Sequence, residues 1–393
     1  MSWDEITNIL NQELRPQQKP YDTSTYTKKY FDWKQGYEQI FSRMQGDEYY
    51  QELKSQTRIL EKEKKKLQTE KIEYNRWLRE EARNELLLEQ FCNAVEKLNE
   101  DNPLIVPDQT AWSWDIDNRS WVLAFGDAHF GTEFKVEGLH GEIINNYDPD
   151  VFYERMDELF HLVVEIVQKE NIKQLSIYDL GDCIDGILRV SQLMKLRYGV
   201  VESTIKYSEW LANWLNDLSK ECGCLIRFQM TKGNHSELRM LGQPKGSFPN
   251  DNMETIILEF VKLRLKDNPN IEIIENTTGM IFEELQGYSV LGYHGESKNM
   301  EQTLKDFQKL YSTRIDVLIS GHLHHSYSEN VGIDSDVMRV PSIMGVDDFS
   351  LGLHKASNPG ATLFAIEKGK GKILEYNIKM KSGGVHDLCF IQN

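Results

Sequence analysis

The apolar residues at the start of the chain recur at the spacing of one face of a helix. That face of a first predicted helix is formed by Trp3, Ile6, Ile9, Leu10 and Leu14. Prolines at 16 and 20 end the pattern, because proline disfavours helical geometry at the residue before it. A second short helix, with its N-cap within 22–24, has a basic and aromatic surface. The residues of that surface are Tyr26, Lys28, Lys29, Tyr30, Trp33 and Lys34.

This pair of short helices permits two interpretations of residues 1–45. Two helices around a break, the second basic and aromatic, are typical of a DNA-binding helix-turn-helix. A small helical cap without a ligand would show the same pattern. The sequence leaves both interpretations open.

Residues 46–100 are predicted to form one long helix. The segment from Asp47 to Leu98 is highly charged and contains neither proline nor glycine. An apolar residue recurs at every seventh position, as in the seam of a coiled coil: Leu53, Leu60, Leu67 and Tyr74. The companion positions Thr57, Lys64 and Lys71 are polar, so the seam is only half apolar. We interpret the segment as a helical or coiled-coil linker, and a homodimer through these N-terminal helices is one option.

Short apolar strands alternate with helices after a boundary at residues 102–108. The predicted strands are Trp121–Phe125, Leu175–Leu180, Leu225–Met230, Ile271–Ile274, Met280–Phe282, Val290–Tyr293, Val317–Ser320, Met338–Val340, Leu363–Ile366 and Ile373–Tyr376. The predicted helices are Phe152–Lys169, Thr204–Glu221 and Thr255–Lys266. This alternation predicts an α/β domain over residues 108–393, in which the early strands are parallel.

Composition and charge restrict the class of protein. The 393 residues are 40% apolar, enough for a packed core, and no stretch reaches the roughly 18 apolar residues of a membrane span. The start of the chain lacks the pattern of a signal peptide, and five cysteines, an odd number, disfavour a disulfide framework. We therefore expect a cytoplasmic protein without a membrane partner. Residues 101–393 carry −15 of the formal net charge of −17, which disfavours non-specific binding to nucleic acid.

Metal-ligating residue types follow five successive predicted strands. The five motifs are GDAH at 126–129, GDCID at 181–185, GNHSE at 233–237, HGE at 294–296 and GHLHH at 321–325. A single Gly-Asp or His after a strand is usually a turn or a helix cap. Five such motifs in series instead indicate one ligand site at the carboxyl ends of the strands.

The types and number of these ligands indicate two metal ions. Imidazole, carboxylate and amide groups without a thiolate suit Mn²⁺, Fe, Zn²⁺ or Ni²⁺ better than Ca²⁺ or an all-oxygen Mg²⁺ site. The ligands exceed the need of one tetrahedral zinc ion, whereas two ions that share a bridging carboxylate would use them all. We expect two divalent metal ions, with Mn²⁺ first and Fe, Zn²⁺, Ni²⁺ and Mg²⁺ as alternatives.

The ordered motifs resemble those of the calcineurin-like metallophosphoesterases, whose signature is DxH, GDxxD, GNH(D/E), a lone His and GHxH. The matching residues are Asp127, His129, Asp182, Asp185, Asn234, His235, His294, His322 and His324. In the third motif Ser236 displaces the acidic residue to Glu237, and neither this nor the Tyr-His-Gly context of His294 removes a ligand. The match covers about 119–325. With its N-terminal helices, the whole chain resembles phage-type phosphoesterases that begin with a helix-turn-helix.

The resemblance implies a fold and a role for each matching residue. The implied fold is a two-sheet α/β sandwich with helices outside, here preceded by an all-α N-terminal region. The first metal ion would be held by Asp127, His129 and His324. The second would be held by Asn234, His294 and His322, and Asp182 would bridge both. His235 would be the general acid. Asp185 would either orient one of the ligand histidines, which is the favoured role, or cap a helix.

Other residues near the motifs are candidates for substrate contacts. Arg189 and Arg239 follow the second and third motifs and would contact a substrate phosphate or form surface ion pairs. The segments Met240–Asn252 and Pro341–Phe349 are predicted to be loops at the rim of the site. His325 is ambiguous, and the remaining histidines are not expected to be ligands: His140, His161, His354 and His386.

The leading functional interpretation is a two-metal phosphoesterase that cleaves phosphodiester bonds in nucleic acid or nucleotides, with DNA among its candidate partners. A phosphomonoesterase for proteins or metabolites is the alternative. A non-catalytic DNA-binding or scaffold protein is disfavoured, because no ligand that the resemblance requires is missing. If the chain is phage-encoded, the host cytoplasm is the expected location.

Overall fold

The computed structural model describes residues 1–43, 48–107, 118–186, 194–238, 251–295 and 297–381. The chain divides into two compact units, Met1–Glu89 and Gln90–Asn393. The division into 1–45, 46–100 and 108–393 stays a prediction. Within the described ranges, no helix is both long enough and apolar enough to span a membrane.

The unit Met1–Glu89 begins with the two predicted short helices, α1 (Trp3–Leu14) and α2 (Thr23–Arg43). Ser2 and Glu5 form a capping box at the start of α1. The Asp22 carboxylate accepts a hydrogen bond from the Thr25 N–H at 2.7 Å, as an N-cap residue of α2 would. The side chain of Asn11 fixes the chain between the helices, because its amide donates to the Tyr21 carbonyl at 2.8 Å and accepts from the Tyr21 N–H at 2.9 Å.

The predicted long helix is α3 (Glu48–Asp101). The seam residues Leu53, Leu60 and Leu67 are each more than half exposed within the first unit. The last turns of α3 belong to the second unit, where Val95 is buried and the Arg264 guanidinium donates to the Asn99 side chain at 2.7 Å. The apolar seam residues in the first part of α3 are therefore exposed, whereas Val95 near its end is buried.

The second unit alternates strands and helices as predicted. Its strands in chain order are β1 (Arg119–Phe125), β2 (Phe134–Glu137), β3 (Ile143–Tyr147), β4 (Gln174–Asp179), β5 (Leu225–Met230), β6 (Ile271–Ile273), β7 (Ile281–Leu285), β8 (Tyr288–Tyr293), β9 (Val317–Ser320), β10 (Tyr327–Gly332), β11 (Ser335–Arg339), β12 (Gly360–Glu367) and β13 (Gly371–Lys379). Its helices are α4 (Pro149–Glu170), α5 (Val200–Cys222), α6 (Met253–Arg264), α7 (Met300–Tyr311) and α8 (Asp348–Gly352).

The strands form two main sheets and one hairpin. The first sheet has six strands in the order β13-β12-β1-β4-β5-β6, and the second has five in the order β10-β11-β9-β8-β7. Strands β1, β4, β5 and β6 are parallel to one another. On the other side of β1, β12 pairs antiparallel with β1, and β13 pairs antiparallel with β12. The hairpin pairs β2 with β3.

The sheets pack face to face between two layers of helix. In β1, Val122 and Ala124 point towards the second sheet, while Leu123 and Phe125 point towards α4, α5 and α6. This alternation is the two-residue period of a strand buried on both faces. Helix α7 covers the outer face of the second sheet through Met300 and Leu304. The predicted fold class, a two-sheet α/β sandwich with helices outside and a helical N-terminal region, is confirmed.

The carboxyl ends of the parallel strands from both sheets lie at one edge of the sandwich. The loop after β9 approaches the loop after β1 closely, because the His322 N–H donates to the Asp127 carboxylate at 2.7 Å. The predicted rim loop after β11 crosses the same edge, where the Ile343 N–H donates to the Gly126 carbonyl at 3.1 Å. The five motifs therefore meet, as the alternation of strands and motifs predicted.

Candidate metal centre

Each of the five motifs begins at the carboxyl end of a strand. Strands β1, β4, β5, β8 and β9 are followed within four positions by Asp127, Asp182, Asn234, His294 and His322. Strands from both sheets therefore contribute to one cluster of polar side chains. His129 and His324 lie two positions beyond the first ligand of their motifs.

The backbone at five of the seven predicted ligands is left-handed. The φ angles are +52° at Asp127, +43° at His129, +54° at Asp182, +72° at His322 and +52° at His324. Asp, Asn and His tolerate this conformation better than most residues, but it still costs energy at each position. The chain therefore turns sharply at each of these residues, and their side chains are aimed inward.

Two glycines permit the close approach of the loops after β4 and β5. Gly181 has a φ of +85°, which an ordinary residue rarely adopts. A Cβ atom on Gly233 would collide with the backbone and carboxylate of Asp182. The Asp182 carboxylate also accepts the His235 N–H at 2.7 Å, so the second and third motifs are held together at this point.

The side chains form three overlapping groups whose nitrogen and oxygen atoms lie within 4.8 Å of one another. The groups are Asp127 with His129 and His324, His129 with Asp182 and His235, and Asp182 with His294 and His322. The first and third groups correspond to the two ligand sets that the resemblance implies. Asn234 joins the third group, because its Oδ1 lies 3.2 Å from His294 Nε2.

Asp182 lies where the two predicted ligand sets meet. Its Oδ2 is 2.9 Å from His294 Nε2 and 3.8 Å from His129 Nε2. In the first set, Asp127 Oδ1 is 3.5 Å from His324 Nε2 and 4.0 Å from His129 Nε2. Ligand atoms that bind one ion at about 2.0–2.2 Å are separated by no more than about 4.4 Å, so all four distances allow a shared ion.

Three buried atoms of this cluster make no hydrogen bond within the described part of the chain: Asp127 Oδ1, His129 Nε2 and Asp182 Oδ2. The two carboxylates are fully buried. A buried carboxylate oxygen that accepts no hydrogen bond is unfavourable, and a cation bound beside each of these atoms would supply a partner. The residues present therefore fit divalent metal ions.

Two of the histidines are oriented for metal binding by their second ring nitrogen. His294 Nδ1 lies 2.8 Å from the Leu180 carbonyl, which leaves Nε2 to face Asp182 and Asn234. His324 Nδ1 lies 3.3 Å from the Asp347 carboxylate, which leaves Nε2 to face Asp127. A histidine that donates one N–H to a carbonyl or carboxylate presents the other nitrogen as a ligand.

The carboxylates strongly perturb the imidazoles. Burial lowers the pKa of His294 and of His324, but the Asp182 carboxylate raises the pKa of His294 to about 9 and the Asp127 carboxylate raises that of His324 to about 10. Burial lowers the pKa of His322, and neighbouring His294 lowers it further, to about 3. The centre thus attracts positive charge towards Asp127 and Asp182, where the ions are expected.

His235 and Asp185 form a hydrogen-bonded pair beside the ligands. His235 Nδ1 is 2.5 Å from Asp185 Oδ1, whereas His129 Nδ1 is 3.8 Å from the same oxygen. Asp185 therefore orients His235 first, and it is too far from His129 for a hydrogen bond. Burial lowers the pKa of His235, but the Asp182 and Asp185 carboxylates outweigh burial and raise this pKa above its usual value.

Several other predicted candidates lie away from the cluster. His325 points to Arg339, whose guanidinium lies 3.0 Å from His325 Nε2. His140, His161 and His354 belong to none of the three groups. Arg189, Arg239, His386 and most of Met240–Asn252 lie outside the described residues.

Two supporting carboxylates were not predicted as part of the site. Glu254, on α6, accepts hydrogen bonds from the N–H groups of Cys183 and Gly233 and from the Ser236 hydroxyl, so it joins the loops after β4 and β5. Asp347, at the start of α8, holds His324. Ser236, the departure from the third motif, thus bonds to a carboxylate from another element.

The chain is similar over nearly its whole length to a prophage-derived protein. The SPbeta prophage-derived uncharacterized protein YonJ of Bacillus subtilis (strain 168) is 31% identical over 386 residues, which are 96% of this chain and 92% of that protein. A family model described as the YonJ coiled-coil domain matches residues 56–98. This match lies within the segment predicted to be a coiled coil.

Solved structures with a similar arrangement include several metallophosphoesterases. A Vps29 complexed with zinc from Entamoeba histolytica is 13% identical and covers 66% of this chain and 98% of its own, with a TM-score of 0.28. A dimetal phosphatase from Danio rerio is 9% identical and covers 67% and 99%, with a TM-score of 0.33. A metallophosphoesterase from Sphaerobacter thermophilus is 11% identical and covers 67% and 89%, with a TM-score of 0.28.

Proposed function

This chain belongs to the family of the prophage-derived protein YonJ, and we propose that it is a phosphoesterase that uses two divalent metal ions to hydrolyse phosphodiesters of nucleic acid or nucleotides. The observation that carries the proposal is the overlap of the three groups at Asp182 and His129, with a buried carboxylate oxygen in each predicted ligand set. Two ions at about 3.5–4 Å from one another are the usual arrangement for hydrolysis of phosphate esters.

In this proposal the side chains divide into ligands and a proton donor. Asp127, His129 and His324 would hold one ion, Asn234, His294 and His322 would hold the other, and Asp182 would be shared by both. When bound, such ions supply a nucleophile at neutral pH and neutralise the charge on the phosphate oxygens. His235 gives a proton to the oxygen of the departing group, and Asp185 holds His235 in the orientation that this transfer needs.

The ligand types support Mn²⁺ as the proposed ion. Imidazole, carboxylate and amide groups are also acceptable to Fe, Zn²⁺ and Ni²⁺, whereas Ca²⁺ prefers sites made of oxygen alone. Cys183 is the cysteine closest in sequence to a ligand, and its Sγ lies 3.3 Å from Asp179 rather than in any of the three groups. Among the described residues, no cysteine belongs to the proposed centre.

We expect the Mn²⁺-loaded protein to hydrolyse bis-p-nitrophenyl phosphate with a higher kcat/KM than p-nitrophenyl phosphate. A diester carries one negative charge and a monoester two, and four buried or half-buried carboxylates surround the centre: Asp127, Asp182, Asp185 and Asp347. The acidic residues 101–393 repel the monoester more strongly. Initial rates with both esters, each repeated with a chelator, measure the preference. A preference for the monoester would support a phosphomonoesterase instead.

We also propose that the first unit binds DNA. On α2, Lys28 and Lys34 are exposed, as are the aromatic residues Tyr30, Phe31 and Trp33. Exposed lysines among exposed aromatic rings suit contact with phosphates and bases. In this proposal the first unit selects the substrate, and the metal centre formed by residues beyond 126 cleaves it.

The double variant Lys28→Glu/Lys34→Glu should bind duplex DNA more weakly, and its affinity should vary less with salt. Each lost phosphate contact lowers the slope of log K against log salt by about 0.9. Fluorescence anisotropy between about 50 and 200 mM salt measures both quantities. The double variant Lys62→Glu/Lys65→Glu on α3 changes the net charge equally and should keep the wild-type slope. Equal slopes in the wild type and both variants would contradict DNA contact by α2.

A further inference from the structure

An exposed aromatic ring lies directly beside the predicted metal ligands. Phe349, in the short helix α8, is 46% exposed. Its ring centroid is 5.8 Å from that of His324 and 6.1 Å from that of His322. Among the exposed large apolar residues of the described part, Phe349 is the one in ring contact with a predicted ligand.

The turn that carries this ring is hydrogen-bonded to one of the predicted metal ligands. Asp347 caps α8 through a reciprocal pair of hydrogen bonds with Ser350, at 2.9 and 3.0 Å. The same Asp347 carboxylate holds His324 Nδ1. The turn that carries Phe349 is thus bonded to a predicted ligand. A half-exposed aromatic side chain at this position has apolar surface that a bound ligand can cover.

The order of rings across the centre indicates which part of a substrate would meet Phe349. Adjacent ring centroids are separated by 5.8 Å from Phe349 to His324, 5.3 Å from His324 to His129, and 4.4 Å from His129 to His235. In this series two rings separate the proposed proton donor His235 from Phe349. The leaving group would receive its proton at His235, whereas Phe349 contacts the rings of His322 and His324, which leaves the side of Phe349 for the group that stays on phosphorus.

We propose that Phe349 stacks on the base of the nucleoside that remains attached to the phosphate, so that the site takes nucleoside phosphodiesters and releases a nucleoside monophosphate. This inference rests on the proposed function. Every nucleobase has a flat face that stacks on an aromatic ring. A phosphotyrosine is a poorer match, because its ring is part of the leaving group and would lie near His235.

The test compares pairs of ligands that differ only in the base. Adenosine 5′-monophosphate is paired with ribose 5-phosphate and adenosine 3′-monophosphate with ribose 3-phosphate, and each ligand competes with bis-p-nitrophenyl phosphate for the Mn²⁺-loaded full chain. In one of the two pairs the wild type should bind the adenosine monophosphate roughly 5- to 150-fold more tightly than the ribose phosphate, the range expected for one stacked base. In Phe349→Ala this ratio should approach one, and in Phe349→Trp it should persist.

Matched variants separate stacking from loss of apolar bulk. Phe349→Leu keeps an apolar side chain without a π face and should lose the preference as Phe349→Ala does. Leu351→Ala, at an exposed residue of the same helix, should keep the wild-type ratio. Equal affinities in the wild type, an unchanged ratio in Phe349→Leu, or tighter binding of a phosphotyrosine peptide would overturn the proposal.

Direct titration calorimetry distinguishes failure of this inference from failure of the proposed function. It measures binding of the same ligand pairs to the Mn²⁺-loaded protein without hydrolysis. A base preference that depends on Phe349 without any hydrolysis would support the subsite and overturn the phosphoesterase proposal. Hydrolysis without a base preference would support the phosphoesterase proposal and overturn the subsite.

Discussion

Replacing Asp182 with asparagine should remove metal from the protein and lower turnover by roughly 10³-fold or more. The Asp182 carboxylate lies between His294 and His129, which belong to different predicted ligand sets. Asparagine has nearly the same shape but no negative charge, so both ions lose a ligand that balances their charge. Such ions contribute several kcal/mol to the stability of the transition state, and about 1.4 kcal/mol corresponds to a factor of ten in rate.

Metal content and thermal unfolding test this expectation independently of activity. Elemental analysis should find two ions per wild-type chain and fewer in Asp182→Asn. Mn²⁺ should raise the Tm of the wild type, because a ligand that binds only the folded state stabilises it, and should raise that of the variant much less. Asp217→Asn, at an exposed carboxylate of α5, is the control and should match the wild type. Two ions per chain in Asp182→Asn would contradict the bridging role.

Replacing His235 with alanine should leave the metal content unchanged and lower turnover by roughly 10²- to 10⁴-fold, the range for a general acid. The ring of His235 is held by Asp185, and His235 is not a member of either ligand set that the resemblance implies. Its removal therefore takes away a proton donor without removing a ligand. The loss should be smaller for a substrate with a good leaving group, such as a nitrophenolate, which needs less protonation.

The same elemental analysis separates the two roles. His161→Ala, at an exposed histidine of α4, is the matched control and should retain both metal and turnover. Comparison of nitrophenyl and alkyl diesters adds a second measurement, since a structural defect would slow both equally. If His235→Ala loses as much metal as Asp182→Asn, then His235 is a ligand and the division of roles is wrong.

Most elements of the second unit could be predicted because burial leaves a pattern in the sequence. Strands β5 and β9 have the predicted bounds, and apolar residues occupy four of the six positions of β5 and three of the four of β9. Strand β10 was not predicted, since it lies at the edge of its sheet with nearly every residue exposed and therefore has no apolar alternation. Helix α7 was also missed, although Met300, Leu304 and Phe307 recur at helical spacing, because charged and amide residues dominate its twelve positions.

The side chains that the structure brings together could be predicted because each of their motifs closely follows a strand. The sequence motif and the site therefore coincide, and the topology brings the strand ends to one edge. Glu254 and Asp347 could not be found in this way, since each belongs to another helix and contacts the centre only after the chain has folded. A carboxylate at the start of a helix is normally interpreted as a helix cap. Asp347 is such a cap and is also a partner of His324.

The left-handed backbone at Asp127, Asp182 and three of the histidines has an evolutionary consequence. Two requirements restrict the residue at each of these positions. Its side chain must bind metal, and its backbone must tolerate a positive φ. When selection for catalysis is relaxed, the second requirement remains, because a β-branched residue there would cost roughly 1–2 kcal/mol. Descendants that have lost the activity should therefore accumulate glycine and asparagine at these five positions rather than a random set. Glycine and asparagine at these five positions would then indicate that an ancestor of such a protein was catalytic.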